Sequence, residues 1–214
     1  MAPRSKLKVR IRMYRQGLGD CFLVSFIQAD ARKPYHMLID CGVLKGTEEA
    51  KQKMRDVVAD IARETDGTLD LLVATHEHWD HLSGFHQARD LWDDITVGDV
   101  WLAWTEDNNT TNTFAQQLQA KRAKKVEQLR KLVGDSQALA GRPFLQGIDS
   151  LLEFFGDPLE LADESNPSRA TTRAALQYVR DKSRGNCRFH TPGTLAEVEG
   201  IPGVRVYVLG PPQD

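Results

Sequence analysis

Three of the six histidines of this 214-residue chain fall within six consecutive positions, in the stretch His76-Glu77-His78-Trp79-Asp80-His81. Zn²⁺ binds imidazole and carboxylate donors in this ratio best, and Mn²⁺ or Fe can also use them. Residues two apart in extended backbone share a side, so His76 and His78 can bind one ion together. Asp80 and His81 lie at the entry to the next predicted helix and can face a second ion. The spacing therefore predicts a metal site.

Position excludes two other zinc motifs. A zincin helix carries His-Glu-x-x-His, but the residue four positions after His76 is Asp80. The His-x-Glu motif of zinc deaminases fails because residue 78 is a histidine. The remaining structural alternative is a polar loop in which Asp80 caps a helix and the histidines lie at the surface.

The elements that would position this motif alternate as in a layered α/β domain. Thr47 is the predicted cap of a helix whose apolar residues, from Ala50 to Ala62, share one face. A short buried strand leads directly into the histidines, and a second helix and another strand follow them. In chain order the predicted strands of this part are 6–14, 21–28, 35–40, 69–74 and 95–104, and the second helix is 82–92.

The pattern changes after residue 104. A polar loop is followed by helical patterns, and strand character returns only near the end of the chain. We therefore divide the chain into a scaffold over 1–104, a helical insertion over 105–185 and returning strands over 186–214. We expect the insertion to be mainly helical and to lie at the periphery of the sheet. The predicted helices of the insertion are 113–133, 147–155 and 168–182, and the returning strands are 187–190 and 204–209.

Composition is that of an ordinary globular protein, with 41% hydrophobic and 27% charged residues and a formal net charge of −2. No apolar run approaches the roughly 20 residues that span a bilayer, so we expect no membrane segment. The first fifteen residues lack the apolar core of a secretory signal. Three cysteines without CxxC spacing favour reduced thiols and a cytoplasmic location.

Two basic clusters stand out. Lys6, Lys8, Arg10 and Arg12 alternate with apolar residues, which places every charge on one face of the first strand. The second cluster lies in the first helix of the insertion: Lys121, Arg122, Lys124, Lys125, Arg130 and Lys131. Both clusters are typical of solvated faces, and both could also attract a polyanionic substrate.

With Leu82-Ser83-Gly84, the histidine stretch resembles the HxHxDH-x-x-G signature of the metallo-β-lactamase superfamily. Leu38-Ile39-Asp40-Cys41-Gly42 resembles its first motif, whose Asp braces the metal loop. Two further stretches are similar to the lactamase-like domain of DNA-uptake competence proteins: Gly17-Leu18-Gly19-Asp20-Cys21-Phe22-Leu23-Val24 and Val206-Tyr207-Val208-Leu209-Gly210-Pro211-Pro212. The resemblance covers residues 1–104 and 186–212.

The resemblance implies the αββα sandwich of that superfamily, of which this chain would carry the first half with a helical insertion. It implies two Zn²⁺ ions, the first held by His76 and His78 and the second by Asp80 and His81. Asp40 would orient the ligands, and Asp80 would also accept a proton from the attacking water. A metal ion lowers the pKa of such a water from 15.7 to about 7.

The later motifs of the superfamily, a further His, a Gly-Asp and a final His, have no secure counterpart here. His190 is the only histidine after His86, and we expect it to be a strand residue rather than a ligand. Four groups from one loop leave two ions under-coordinated. We therefore expect a C-terminal half of the same fold, from a separate chain or a missing segment, to complete the site.

The favoured function is a metal-dependent hydrolase of phosphodiesters, with nucleic acid as a partner. One alternative keeps the metals but hydrolyses a lactone, a thioester or a β-lactam. Another is a non-catalytic half-domain that acts as a structural or regulatory partner. We expect His36 to be structural, His86 to lie near the site, and the four tryptophans to be core or interface residues.

Overall fold

The strands around the histidine motif form one six-stranded sheet in this computed structural model, which describes residues 7–107, 112–136, 172–184 and 186–211. The strands lie in chain order, β1 to β6: Lys8–Met13, Phe22–Ile27, Tyr35–Ile39, Thr68–Ala74, Thr96–Ala103 and Cys187–His190. Strands β1 to β3 pair antiparallel, and β3 to β6 are parallel. Two further strands, β7 Leu195–Glu197 and β8 Arg205–Tyr207, form a separate antiparallel pair. The chain is a mixed α/β protein.

The helices are α1 Ala50–Thr65, α2 Trp79–Gln87, α3 Arg89–Asp93, α4 Thr113–Ser136 and α5 Thr172–Lys182, with a 3₁₀ turn at Trp104–Glu106. The predicted strands agree with the observed ones to within two residues at either end. The predicted helix over 147–155 lies outside the described residues. The division of the chain at residues 104 and 185 stays a prediction.

Two details of the helix predictions were wrong. The hydroxyl of Thr47 donates a hydrogen bond to the Leu44 carbonyl (2.8 Å), so it belongs to the preceding turn and does not cap α1. That helix begins after Glu49, which has left-handed backbone with φ 52°. The single helix expected over 82–92 begins three residues earlier, at Trp79, and is broken at Ala88, whose φ of −123° is not helical.

Most of the core lies on one face of the sheet. There α1 buries Met54, Val58 and Ile61 against the strands, and α2 adds Leu82 and Phe85. Helix α5 contributes its own apolar face to the same cluster through Ala175, Leu176 and Val179. This helix is therefore part of the core. The expectation that the insertion 105–185 is peripheral to the sheet was wrong for α5. On the opposite face the β7–β8 segment covers Phe26, Met37 and Trp101.

Strand β1 has two contrasting faces, as its alternation predicts. Its arginines lie on the helix side of the sheet, where Arg10 pairs with Glu64 (3.2 Å) and Arg12 with Asp60 (2.8 Å) of α1. These two charges therefore attach the strand to a helix and do not form a surface for a polyanion. The opposite face exposes three apolar side chains, Val9 (51%), Ile11 (66%) and Met13 (68%).

Within the described part of the chain, no helix is long and apolar enough to cross a membrane. Cys21, Cys41 and Cys187 are free thiols, and the first two are buried.

Candidate metal centre

The histidine motif begins where β4 ends, at the carboxyl edge of the parallel part of the sheet. Leu69, Leu71 and Leu72 are fully buried and anchor β4, so the residues that follow Ala74 leave the sheet from a rigid base. His78 is in extended backbone and is the residue before α2, which places Asp80 and His81 in the first helical turn. The motif therefore spans a strand-to-helix connection, the position at which open α/β sheets bind ligands.

Asp40, which follows the neighbouring strand β3, is buried beneath this connection with 1% of its surface exposed. Its carboxylate accepts three hydrogen bonds: from the Thr75 amide (2.8 Å), the Thr75 hydroxyl (2.7 Å) and Nδ1 of His81 (2.8 Å). Its backbone is left-handed with φ 55°, a conformation that Asp tolerates better than most residues. Asp40 therefore holds the loop that carries the histidines from the adjacent strand.

These hydrogen bonds also determine the tautomers of two histidines. A carboxylate only accepts, so Nδ1 of His81 must carry the proton in its bond to Asp40. The Thr75 hydroxyl gives its single proton to Asp40, and it must therefore accept the Nδ1 proton of His76 at 2.8 Å. In both rings Nε2 is left with a free lone pair, which is the form that binds a metal ion.

The predicted ligands are neighbours. The His76 ring centroid is 4.3 Å from that of His78 and 4.0 Å from that of His81, whereas the centroids of His78 and His81 are 6.4 Å apart. Nε2 of His81 is 3.6 Å from Oδ2 of Asp80. Two donor atoms on one tetrahedral zinc ion are separated by roughly 3.3 Å, given metal–donor lengths near 2 Å. The other oxygen of Asp80, Oδ1, is buried and has no hydrogen-bond partner among the described residues. The donor types and this orphaned oxygen fit a divalent metal ion.

The pKa shifts of His76 and His78 favour metal binding, and that of His81 opposes it, because a metal ion binds the neutral imidazole. Burial lowers the pKa of His76, and the charge of His81 acts in the same direction. Burial, reinforced by His76, lowers the pKa of His78 to about 4. Both rings are thus neutral at pH 7. Burial also acts to lower the pKa of His81, but the hydrogen bond to Asp40 and the nearby carboxylates outweigh it and raise that pKa above 6.5.

Two glycines allow three loops to meet at the backbone of the motif. A Cβ on Gly42 would lie 2.4 Å from the carbonyl carbon of Asp80, and one on Gly19 would lie 2.6 Å from its carbonyl oxygen. The close approach lets the Asp20 amide donate to the Asp80 carbonyl (3.1 Å) and the Cys41 amide donate to the His81 carbonyl (2.8 Å). Close packing therefore explains why both motif stretches have glycine at these positions.

The structure also adds Asp20 and Thr75, for which the sequence predicted no role at the site. Oδ2 of Asp20 lies 3.6 Å from Nδ1 of His81, and ligand atoms of Asp20, Asp40 and His81 lie within 4.8 Å of one another, close enough for a metal ion. Because the Asp40 carboxylate already accepts three hydrogen bonds, one of them from this same Nδ1, we regard Asp40 as an orienting group. Asp20 lies on the same side of the His81 ring, and its charge helps to raise the pKa of His81. The sequence signal that could have identified Asp20 is its position directly after Gly19, inside a stretch that resembles a family motif.

Glu77, inside the motif, contacts a different part of the chain. Its carboxyl group hydrogen-bonds with that of Glu106, and Thr172 at the start of α5 donates to it at 3.5 Å. Burial, followed by the charge of Glu106, raises the pKa of Glu77 to about 7. This contact joins the motif to the 3₁₀ turn and to α5.

The remaining histidines are not part of the cluster. His190 packs on Trp101 (centroids 4.5 Å apart), so it is a strand residue as expected. His36 shares a hydrogen bond with Ser25 across two strands (3.0 Å). His86 lies beside Trp79 on α2, with ring centroids 6.0 Å apart. The other three tryptophans, Trp92, Trp101 and Trp104, are buried as expected.

Comparison with protein-family models, with curated proteins and with solved structures gave no match to this chain.

Proposed function

We propose that this chain is a metal-dependent hydrolase of the metallo-β-lactamase type, with two Zn²⁺ ions as the favoured cofactor. The observation that carries the proposal is the arrangement around Asp40, which fixes the tautomers of His76 and His81 so that their Nε2 atoms are free beside His78 and Asp80. Such an arrangement of orienting partners behind imidazoles is typical of metal centres.

Each residue of the cluster then has a role. His76 and His78, both neutral at pH 7, are ligand candidates for a first ion. His81 and Asp80 are candidates for a second, and the unpartnered Oδ1 of Asp80 can accept a proton from the attacking water. Asp40 and Thr75 position the rings. A bound ion would supply Lewis-acid polarisation of the scissile group and a water of lowered pKa.

Phosphodiesters are the favoured substrates, because helix α4 carries a cluster of exposed basic side chains. Lys121, Arg122, Lys124 and Lys125 are all exposed along this helix. Cations spaced along a helix can neutralise successive phosphates of a nucleic acid. Charge reversal of Lys124 and Lys125 should weaken nucleic-acid binding and flatten its salt dependence. The matched control is charge reversal of Arg32 and Arg205, which are exposed elsewhere; equal losses in both variants would refute a role for α4.

The direct test is a substrate panel with the zinc-loaded or manganese-loaded protein. We expect hydrolysis of bis(4-nitrophenyl) phosphate that is measurable but slow without the second half proposed below. It should be lost in His78→Ala and retained in the matched variant His190→Gln. Turnover of nitrocefin or a lactone without diester hydrolysis would instead support the small-molecule alternative. Absence of turnover on every substrate would support a non-catalytic half-domain.

We further propose that a second half of the same αββα fold covers the apolar face of β1. Val9, Ile11 and Met13 lie on the side away from the helices, where the fold would place a second sheet. Contiguous exposed apolar surface of this kind is uncommon in monomers. The test is the metal content and turnover of these 214 residues alone. Two tightly held ions with full turnover would show that no second half is needed.

A further inference from the structure

A cleft of about 650 Å³ lies along the outer side of α2, between α1 and α3. The cleft is open to solvent along much of its length, so a ligand in it would keep part of its surface exposed. It begins at Trp79, which stands in the chain between His78 and Asp80. No residue of the proposed ligand set lines it.

One wall of the cleft is aromatic. Trp79 and His86 are seven residues apart on α2, and two helical turns bring their rings to the same side, with centroids 6.0 Å apart. Both side chains are half-exposed. Trp79 is the one tryptophan that is not buried, since Trp92, Trp101 and Trp104 are 0%, 4% and 3% exposed. A half-exposed indole in a cleft can stack a planar ring.

The lining carries two cations and two carboxylates. Asp90 pairs with Arg55 (2.5 Å), and Asp93 accepts a hydrogen bond from the Tyr178 hydroxyl (2.5 Å) and interacts with the charge of Lys182. Lys51 is exposed and has no ion-pair partner in the described ranges. Arg89 stacks on the Tyr178 ring, 4.4 Å from its centroid. Burial lowers the pKa of His86, and the charges of Arg89 and Lys51 lower it further.

The lining also contains an unsatisfied acceptor. Oε1 of Gln87 is buried and has no hydrogen-bond partner among the residues that the structure describes. A buried acceptor without a donor is unfavourable, and an N–H group of a ligand would satisfy it. The cleft thus combines a stacking surface, two cations and an acceptor, which are the features needed to bind a ring, a phosphate and an amino group.

We propose that this cleft binds a nucleoside monophosphate unit, with its base on Trp79 and its phosphate between Lys51 and Arg89. The inference rests on the proposed function, because the unit would be the nucleotide next to the phosphodiester that is cleaved. A free nucleotide offers the same chemistry as a nucleotide within a strand, and the two sources are separated by the experiment.

The test is a titration of the metal-free protein, in the presence of a chelator, with AMP and with a five-nucleotide DNA strand, followed by tryptophan fluorescence. We expect saturable quenching that is absent in Trp79→Leu. Lys51→Ala should weaken AMP binding about tenfold, while Lys53→Ala, a variant of a nearby lysine of α1 outside the cleft, should leave it unchanged. Binding of the strand more tightly than AMP assigns the cleft to nucleic acid, and equal binding assigns it to free nucleotide.

Two outcomes would overturn the proposal. One is the absence of saturable quenching. The other is binding of ribose 5-phosphate as tightly as AMP, which would show that the cleft binds the phosphate and does not recognise the base. Hydrolysis of bis(4-nitrophenyl) phosphate, which lacks a base, is measured separately on the metal-loaded protein. Hydrolysis without AMP binding would refute nucleotide binding in the cleft and leave the proposed function standing. AMP binding without hydrolysis would refute the proposed function and leave the cleft proposal standing.

Discussion

Nδ1 of His81 lies 2.8 Å from Oδ2 of Asp40, so a buried carboxylate at the end of β3 determines which nitrogen of a helix residue carries the proton. The same carboxylate acts on His76 through the hydroxyl of Thr75. One side chain thus orients two imidazoles that approach from different directions, one from the loop and one from α2.

Asp40→Asn should lower zinc affinity by about 10–100-fold, because an amide can present its N–H to His81 and favour the wrong tautomer. Affinity is measured by competition with a chromophoric chelator at fixed pH. Asp56→Asn, which alters an exposed carboxylate on α1, is the matched control and should bind zinc normally. Wild-type affinity in Asp40→Asn would show that Asp40 does not orient the ligands.

Thr75→Val should lower zinc affinity by about tenfold while retaining the shape of the side chain. The hydroxyl that joins Asp40 to His76 is lost, so the His76 ring is no longer held in one tautomer. Thr75→Ser keeps the hydroxyl and should restore affinity. If the valine and serine variants lose zinc affinity equally, then the loss comes from altered packing. The hydrogen bonds from Asp40 through Thr75 to His76 would then not be needed for zinc binding.

Gly42→Ala should destabilise the fold by about 1–3 kcal/mol and weaken metal binding, since its Cβ would lie 2.4 Å from the backbone of Asp80. Urea unfolding gives the free energy, and zinc competition gives the affinity. Gly210→Ala is the control, because its Cβ would meet no atom within 4 Å in the described part of the chain. Equal stability of the two variants would contradict the close loop packing.

His36 should make the stability of the protein depend on pH. Burial lowers its pKa in the folded state below the ordinary 6.5, so below that pH the unfolded chain binds a proton more readily than the folded protein. Stability is therefore full above 6.5 and falls as the pH drops towards the folded-state pKa. The largest slope from one group is roughly 1.4 kcal/mol per pH unit.

The measurement is urea unfolding of wild type and His36→Gln between pH 7.5 and 5. The free-energy difference between the two proteins should shift in favour of the variant as the pH falls, because glutamine does not titrate. A difference that stays constant over this range would contradict a lowered pKa at His36.

The strands of the sheet and the proximity of the motif histidines could be predicted because their determinants are local. Strand β1 alternates along six residues, and the candidate ligands of the motif lie within six positions, so spacing alone places them together. The roles of Asp20 and Thr75 depend on where separate loops meet. That meeting depends on the close approach of Gly19 and Gly42 to the backbone of Asp80, which no periodicity encodes.

The prediction that the insertion is peripheral to the sheet was wrong for helix α5, for a similar reason. The apolar stripe of α5 identifies a helix with a buried face, but periodicity does not tell which surface covers that face. Ala175 and Val179 pack into the main core, and Thr172 contacts Glu77 of the motif. Such long-range contacts follow from the path of the chain and not from local spacing.

The most direct test of the metal centre is zinc-edge X-ray absorption of the protein loaded with stoichiometric zinc and dialysed. We expect retained zinc with nitrogen and oxygen donors at about 2.0–2.2 Å and the multiple scattering of at least two imidazoles per protein. Loss of the zinc on dialysis, or a sulfur shell near 2.3 Å that places the ion at Cys21 or Cys41, would contradict a centre built on His76, His78, Asp80 and His81.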